Sequence, residues 1–119
     1  MSADLYTLSM DTKLSGHVAH FRDYYNPSSV LWAMNLSWWK DVTPMLNQQN
    51  YLPVENAKKL LGIIKRSEIN LINNYSESMK RHAQNYDCFN QEYMETRKIE
   101  LINFLERSIE MNLMIYCDL

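Results

Sequence analysis

The chain has 119 residues, 46% of them apolar, with two Gly, three Pro and two Cys, and its 12 basic and 14 acidic side chains give a formal charge of −2. So few Gly, Pro and Cys exclude collagen-like, mucin-like and disulfide-stapled chains, and 12% aromatic residues exclude a disordered one. What remains is one compact domain over residues 1–119, lacking the cation excess that counterion release on nucleic acid requires.

The opening Met1-Ser2-Ala3-Asp4-Leu5-Tyr6 has neither the basic region nor the apolar run of a secretory signal, and no window is apolar enough to span a membrane. A cytoplasmic location is therefore expected, with Cys88 and Cys117 reduced and Cys117 acting as a small buried apolar residue. Tyr6, Leu8 and Met10 alternate with polar residues and predict a short strand, with Leu5 out of that phase. Met114-Ile115-Tyr116-Cys117 is apolar, with β-branched and aromatic members, and can pair with the first segment as a two-stranded ribbon.

Asn26-Pro27 is the best helix start, because Asn caps free N–H groups and Pro at the first position loses no hydrogen bond. Leu31, Met34, Trp38 and Val42 then predict a helix with a broad apolar face. Thr43-Pro44 bends or restarts the chain, Asn47-Gln48-Gln49-Asn50 is a polar turn, and Pro53 opens the next helix. Ala57, Leu60, Leu61 and Ile64 make its stripe, which Leu71, Ile72, Tyr75 and Met79 continue, so residues 53–86 fit one helix or two. A last helix, from about Asn90 to Asn112, is marked by Tyr93, Met94, Leu101, Ile102, Leu105 and Ile109, with Arg97 and Lys98 among the charges of its outer face.

The densest group of reactive side chains runs from His17 to Asn26. On a helix, His17 and His20 would lie one turn apart and His20 would face Asp23, a spacing that could hold a metal or orient an imidazole as a base. Successive steps of three residues drift about 60° around a helix, so His17 and Asp23 share a face poorly, and no further ligand group has recognisable spacing. The structural reading of the same residues is an Arg22–Asp23 ion pair, its guanidinium stacked on Trp38 or Trp39 and Asn26 capping the helix. Trp38 and Trp39 point about 100° apart on a helix, so one is buried and the other sits at the edge. An edge Trp beside Arg22, Tyr24 and Tyr25 is the composition of a binding hot spot, or of a pocket in which Arg22 grips an anion. No Gly-rich phosphate loop, G-x-S-x-G, H-E-x-x-H or C-x-x-C pattern occurs.

The segments Ala3-Asp4-Leu5-Tyr6, Phe21-Arg22-Asp23-Tyr24-Tyr25-Asn26, Leu36-Ser37-Trp38-Trp39-Lys40-Asp41-Val42 and Ile115-Tyr116-Cys117-Asp118-Leu119 resemble a family of small uncharacterised bacterial proteins with an F-R-D-x-Y-N segment, an L-S-W-W-x-D-V block and a closing I-x-C-x-L. Val30-Leu31-Trp32, Leu52-Pro53 through Leu60-Leu61 and the stretch from Phe104-Leu105 to the closing segment belong to the same resemblance, which covers about half the chain. It departs in the short stretch before Phe21 and in the bulky Tyr24. The resemblance implies a helical fold closed by its termini and carries no activity with it.

The sequence thus predicts a mainly α single-domain bundle of about four helices, with a terminal β-ribbon as an optional addition. The expected role is that of an interaction protein, an inhibitor, immunity or regulatory partner of bacterial or phage origin. It would act on another protein through His20, Arg22, Asp23, Tyr24, Tyr25, Trp38 and Trp39, with no cofactor, metal or catalytic residue assigned. The alternative is a small enzyme or ligand-binding protein with a polar pocket around His20, Arg22, Asp23 and Tyr25.

Overall fold

A computed structural model describes residues 2–8, 17–25, 29–71 and 91–119; of Leu8, His17 and Val18 it describes the backbone alone. Strand β1 (Ser2–Leu8) pairs antiparallel with β2 (His17–Tyr24) on one side and with β4 (Ile115–Asp118) on the other. The two-residue β3 (Tyr51–Leu52) then pairs with β4, so the sheet order is β2-β1-β4-β3. Helices α1 (Val30–Ala33), α2 (Val54–Arg66) and α3 (Gln91–Glu110) complete the described elements, together with a π-helical turn at Trp38–Val42 and a 3-10 turn at Thr43–Met45.

This four-stranded antiparallel sheet overturns the expected all-α helical bundle. The N- and C-terminal segments do pair, as the two central strands of the sheet and not as an isolated ribbon. The largest revision is at residues 17–24, taken above as helical. There Phe21 and Asp23 are buried while His20, Arg22 and Tyr24 are exposed, which is the period of two of a half-buried strand. The phase of β1 is also reversed: Ala3, Leu5 and Thr7 are fully buried, and Tyr6 lies on the other face with Asp4.

The inner face of the sheet packs on the helices. Phe21 meets Phe104 of α3 with ring centroids 6.0 Å apart, and the Thr7 and Ser108 hydroxyls lie 2.5 Å apart in the interior. Leu60 and Ile64 of α2 and Leu101 and Leu105 of α3 are fully buried in the same core, and Lys65 and Glu106 join the two helices at 2.8 Å. Each such aliphatic side chain contributes about 1.5–3 kcal/mol on burial. Among the described residues, no helix is long and apolar enough to cross a membrane.

The single helix expected over residues 27–42 is broken. α1 ends in a Schellman motif: Leu36 N–H bonds the Leu31 carbonyl, Asn35 N–H bonds that of Trp32, and Asn35 takes a φ of 61°. Ser37 then caps a fresh turn, its Oγ accepting from Lys40 N–H while Asp41 accepts from Ser37 N–H at 2.7 Å. α3 ends the same way at Asn112, whose φ is 54°. The cap of α1 is Ser29; Asn26-Pro27, Met10, Cys88 and any continuation of the α2 pattern past residue 71 lie outside the described residues. α2 itself stops at Arg66, where Ser67 is extended.

Asp23 ties these pieces together. Its carboxylate accepts from Ser29 Oγ at 2.8 Å, from Val30 N–H at 3.1 Å and from Trp38 Nε1 at 2.7 Å, all in the interior. Replacing Asp23 by Ala leaves those donors unpaired and should cost about 3 kcal/mol of unfolding free energy. Asp23→Asn, which keeps one acceptor oxygen, should cost less, and urea unfolding of the three proteins checks the order.

Candidate functional site

Because side chains alternate along a strand, β2 sends its polar groups in two directions. Asp23 points into the core, whereas His20, Arg22 and Tyr24 point away from it. The β1–β2 register sets Asp4 opposite Arg22 and Tyr6 opposite His20. Asp4, though on the outward face, is only 7% exposed, since its neighbours cover it. Its Oδ1 accepts from Arg22 Nε at 2.7 Å and lies 2.8 Å from His20 Nε2, and its Oδ2 accepts from Ser2 Oγ at 2.8 Å. An ionised carboxylate only accepts, so His20 carries its proton on Nε2 in this contact.

The register also builds an aromatic row across all four strands. His20 on β2 stacks on Tyr6 of β1 at 4.6 Å, Tyr6 tilts against Tyr116 of β4 at 6.4 Å, and Tyr116 meets the edge of Tyr51 of β3 at 5.5 Å. Such cross-strand pairs each contribute about 0.2–1 kcal/mol and fix the ring positions.

Beside β2, which is an edge strand among the described residues, α3 completes a cleft of about 350 Å³. His20, Phe21, Arg22 and Tyr24 form one wall and Tyr93, Arg97, Glu100 and Phe104 the other. Tyr93, Arg97, Glu100 and Phe104 recur at helical spacing along one face of α3. The Arg97 guanidinium lies 4.5 Å from the Phe21 ring centroid, and it donates to Glu100 and to the backbone carbonyl of Arg22. Tyr24 and Tyr93 are both exposed at the cleft.

Of the seven residues singled out from sequence, the cleft brings together His20, Arg22 and Tyr24. Asp23 and Trp38 are instead bonded to each other in the core, and Tyr25 is half-buried with its hydroxyl unpartnered among the described residues. Trp39 is 57% exposed and does not line the cleft. The expected Arg22–Asp23 pair does not form, because adjacent strand residues face opposite ways; Arg22 takes Asp4, and the cation stacked on an aromatic ring is Arg97 on Phe21. Sequence reasoning missed Asp4, Tyr6 and Glu100 as site residues, placed Arg97 on the charged outer face of the last helix, read as solvated surface in preference to a partner-binding strip, and assigned Tyr93 to the core stripe. The spacing of Tyr93, Arg97 and Glu100 was a visible signal, but Asp4 joins the site only through strand register, which spacing does not reveal.

Cys117 is buried and burial pushes its thiol up to about 12, which leaves it protonated and unreactive near neutrality. Among the described residues, no three His, Cys, Asp or Glu side chains gather as metal ligands. Comparisons with protein-family models, with characterised proteins and with solved structures return no match.

Burial alone would raise the Asp4 carboxyl, but the hydrogen bonds from Arg22, His20 and Ser2 outweigh it and hold the group below the usual carboxylate value. A carboxyl lowered by folding stabilises the fold above its unfolded value, near 3.8, and that stabilisation is lost as pH falls through the lower folded value. The stability gap between the wild type and Asp4→Asn should therefore be present above the unfolded carboxylate value near 3.8 and close as pH falls below it. Urea unfolding across that range measures it.

Proposed function

We propose that the protein works as an interaction module, docking on another protein through the β2–α3 cleft and its rim. The observation that supports this is the pair of exposed tyrosines, Tyr24 and Tyr93, flanking Arg22 on a strand and a helix that the core holds rigid. Tyr and Arg carry interface energy disproportionately, since they add contact area and hydrogen bonds while losing little side-chain freedom. Trp39, more than half exposed, extends the same chemistry elsewhere on the surface. An inhibitor, immunity or regulatory partner of bacterial or phage origin acting in the cytoplasm suits this reading, and the resemblance of the Phe21–Asn26 and Leu36–Val42 segments to bacterial proteins supports the bacterial setting.

A second reading, binding of a small ligand, draws on the cleft volume of about 350 Å³ and on His20 in its wall, which the Asp4 carboxylate contacts from behind at 2.8 Å. In that reading Asp4 takes the place of Asp23, which the core occupies.

Affinity capture with the immobilised chain from cells that make it tests the main reading. The wild type should retain a specific protein, and a Tyr24→Ala, Tyr93→Ala double variant should bind it more weakly by about 2 kcal/mol or more, roughly thirtyfold, with little change in thermal midpoint. Equal retention by the double variant, or no specific retention by the wild type, would count against it.

A further inference from the structure

Resting on the interaction reading, we infer that the partner anchors itself by an Asp or Glu side chain seated in the β2–α3 cleft, its carboxylate held by the two Nη groups of Arg22. Three features of the cleft lead to this occupant.

First, Arg22 is oriented before anything binds. Nε is committed to Asp4 at 2.7 Å, and Asp4 is itself held by Ser2 and His20, so the plane of the guanidinium is fixed from behind. Neither Nη group of Arg22 has a partner among the described residues. A planar fork whose two Nη groups remain open can present one N–H from each to the two oxygens of a carboxylate.

Second, the other cation of the cleft is already committed. Arg97 is held by Glu100, by the Arg22 carbonyl and by the face of Phe21. Glu100 is paired by the same contact, and Asp4 already receives three donors. The acidic groups at and behind the cleft are thus already paired, while the Nη groups of Arg22 stay open. A ligand must bring acceptors, and an anionic one gains most from a guanidinium.

Third, the backbone of β2 is poorly placed to accept an added strand. The Arg22 carbonyl, which the strand turns toward its edge, is taken by Arg97. With the Arg97 side chain seated on that carbonyl at the edge, a partner enters by a side chain and not by strand addition. Tyr24 and Tyr93 then cover the residues flanking the acid.

Panning a phage-displayed library of random linear peptides over the full chain tests this. Enriched peptides should share one fixed Asp or Glu, and in synthetic versions a change of that acid to its amide should weaken binding about tenfold or more. Arg22→Gln should bind acid and amide forms alike, and Arg22→Lys, which keeps the charge without the fork, should fall between. A consensus lacking a fixed acid, equal binding of acid and amide peptides, an Arg22→Gln protein that still prefers the acid, or no enrichment over bare support each overturns the proposal. The acid-to-amide comparison uses the wild-type chain, so it stands even if a variant folds poorly. A protein captured through Tyr24 and Tyr93 without an acidic consensus would remove the carboxylate anchor and leave the interaction reading intact.

Discussion

The hydrogen bond from the Trp38 indole to the buried Asp23 carboxylate is the constraint from which the rest of the architecture follows. A carboxylate at 1% exposure is costly unless several donors reach it, and here they come from the cap and first turn of α1 as well as from Trp38. One side chain near the end of a strand thereby locates a short helix and a π-helical turn that have little regular structure of their own. Burial nevertheless outweighs the donors from Ser29, Val30, Trp38 and Tyr24, so the Asp23 carboxyl lies above its ordinary value. A carboxyl raised by folding adds stability that is fully present below the unfolded value and is lost as pH rises through the folded one, opposite in sign to Asp4.

With Asp23 committed inward, strand geometry leaves Arg22 and Tyr24 no choice but to face outward. The same alternation brings Asp4 of β1 beneath Arg22 and His20, and the aromatic row from His20 to Tyr51 stiffens that face across all four strands. The core anchor and the candidate docking group are thus neighbours in sequence that serve opposite faces of one strand. A substitution at Asp23 should disturb the fold, whereas one at Arg22, more than half exposed, should act on recognition.

Much of the local structure was legible. The stripe through Ala57, Leu60 and Ile64 marked α2, the pattern ending at Asn112 marked α3, and the constraint on adjacent Trp residues matches a buried Trp38 beside an exposed Trp39. The sheet was not legible in the same way, because β2 places two His at a helical spacing and β3 is only two residues long. The break at Asn35 was also missed. Asn35, Asn50 and Asn112 are the non-Gly residues of positive φ among those described, so a chain with two Gly uses Asn where a left-handed residue is needed.

Hydrogen exchange of the indole N–H groups, followed by NMR, addresses the Asp23–Trp38 bond most directly. If that bond holds the strand, the cap and the turn together, the Trp38 Nε1–H should exchange only through an opening whose free energy is close to that of global unfolding, while the exposed Trp39 indole exchanges at solvent rates. A Trp38 indole that exchanges nearly as fast as that of Trp39 would contradict the account.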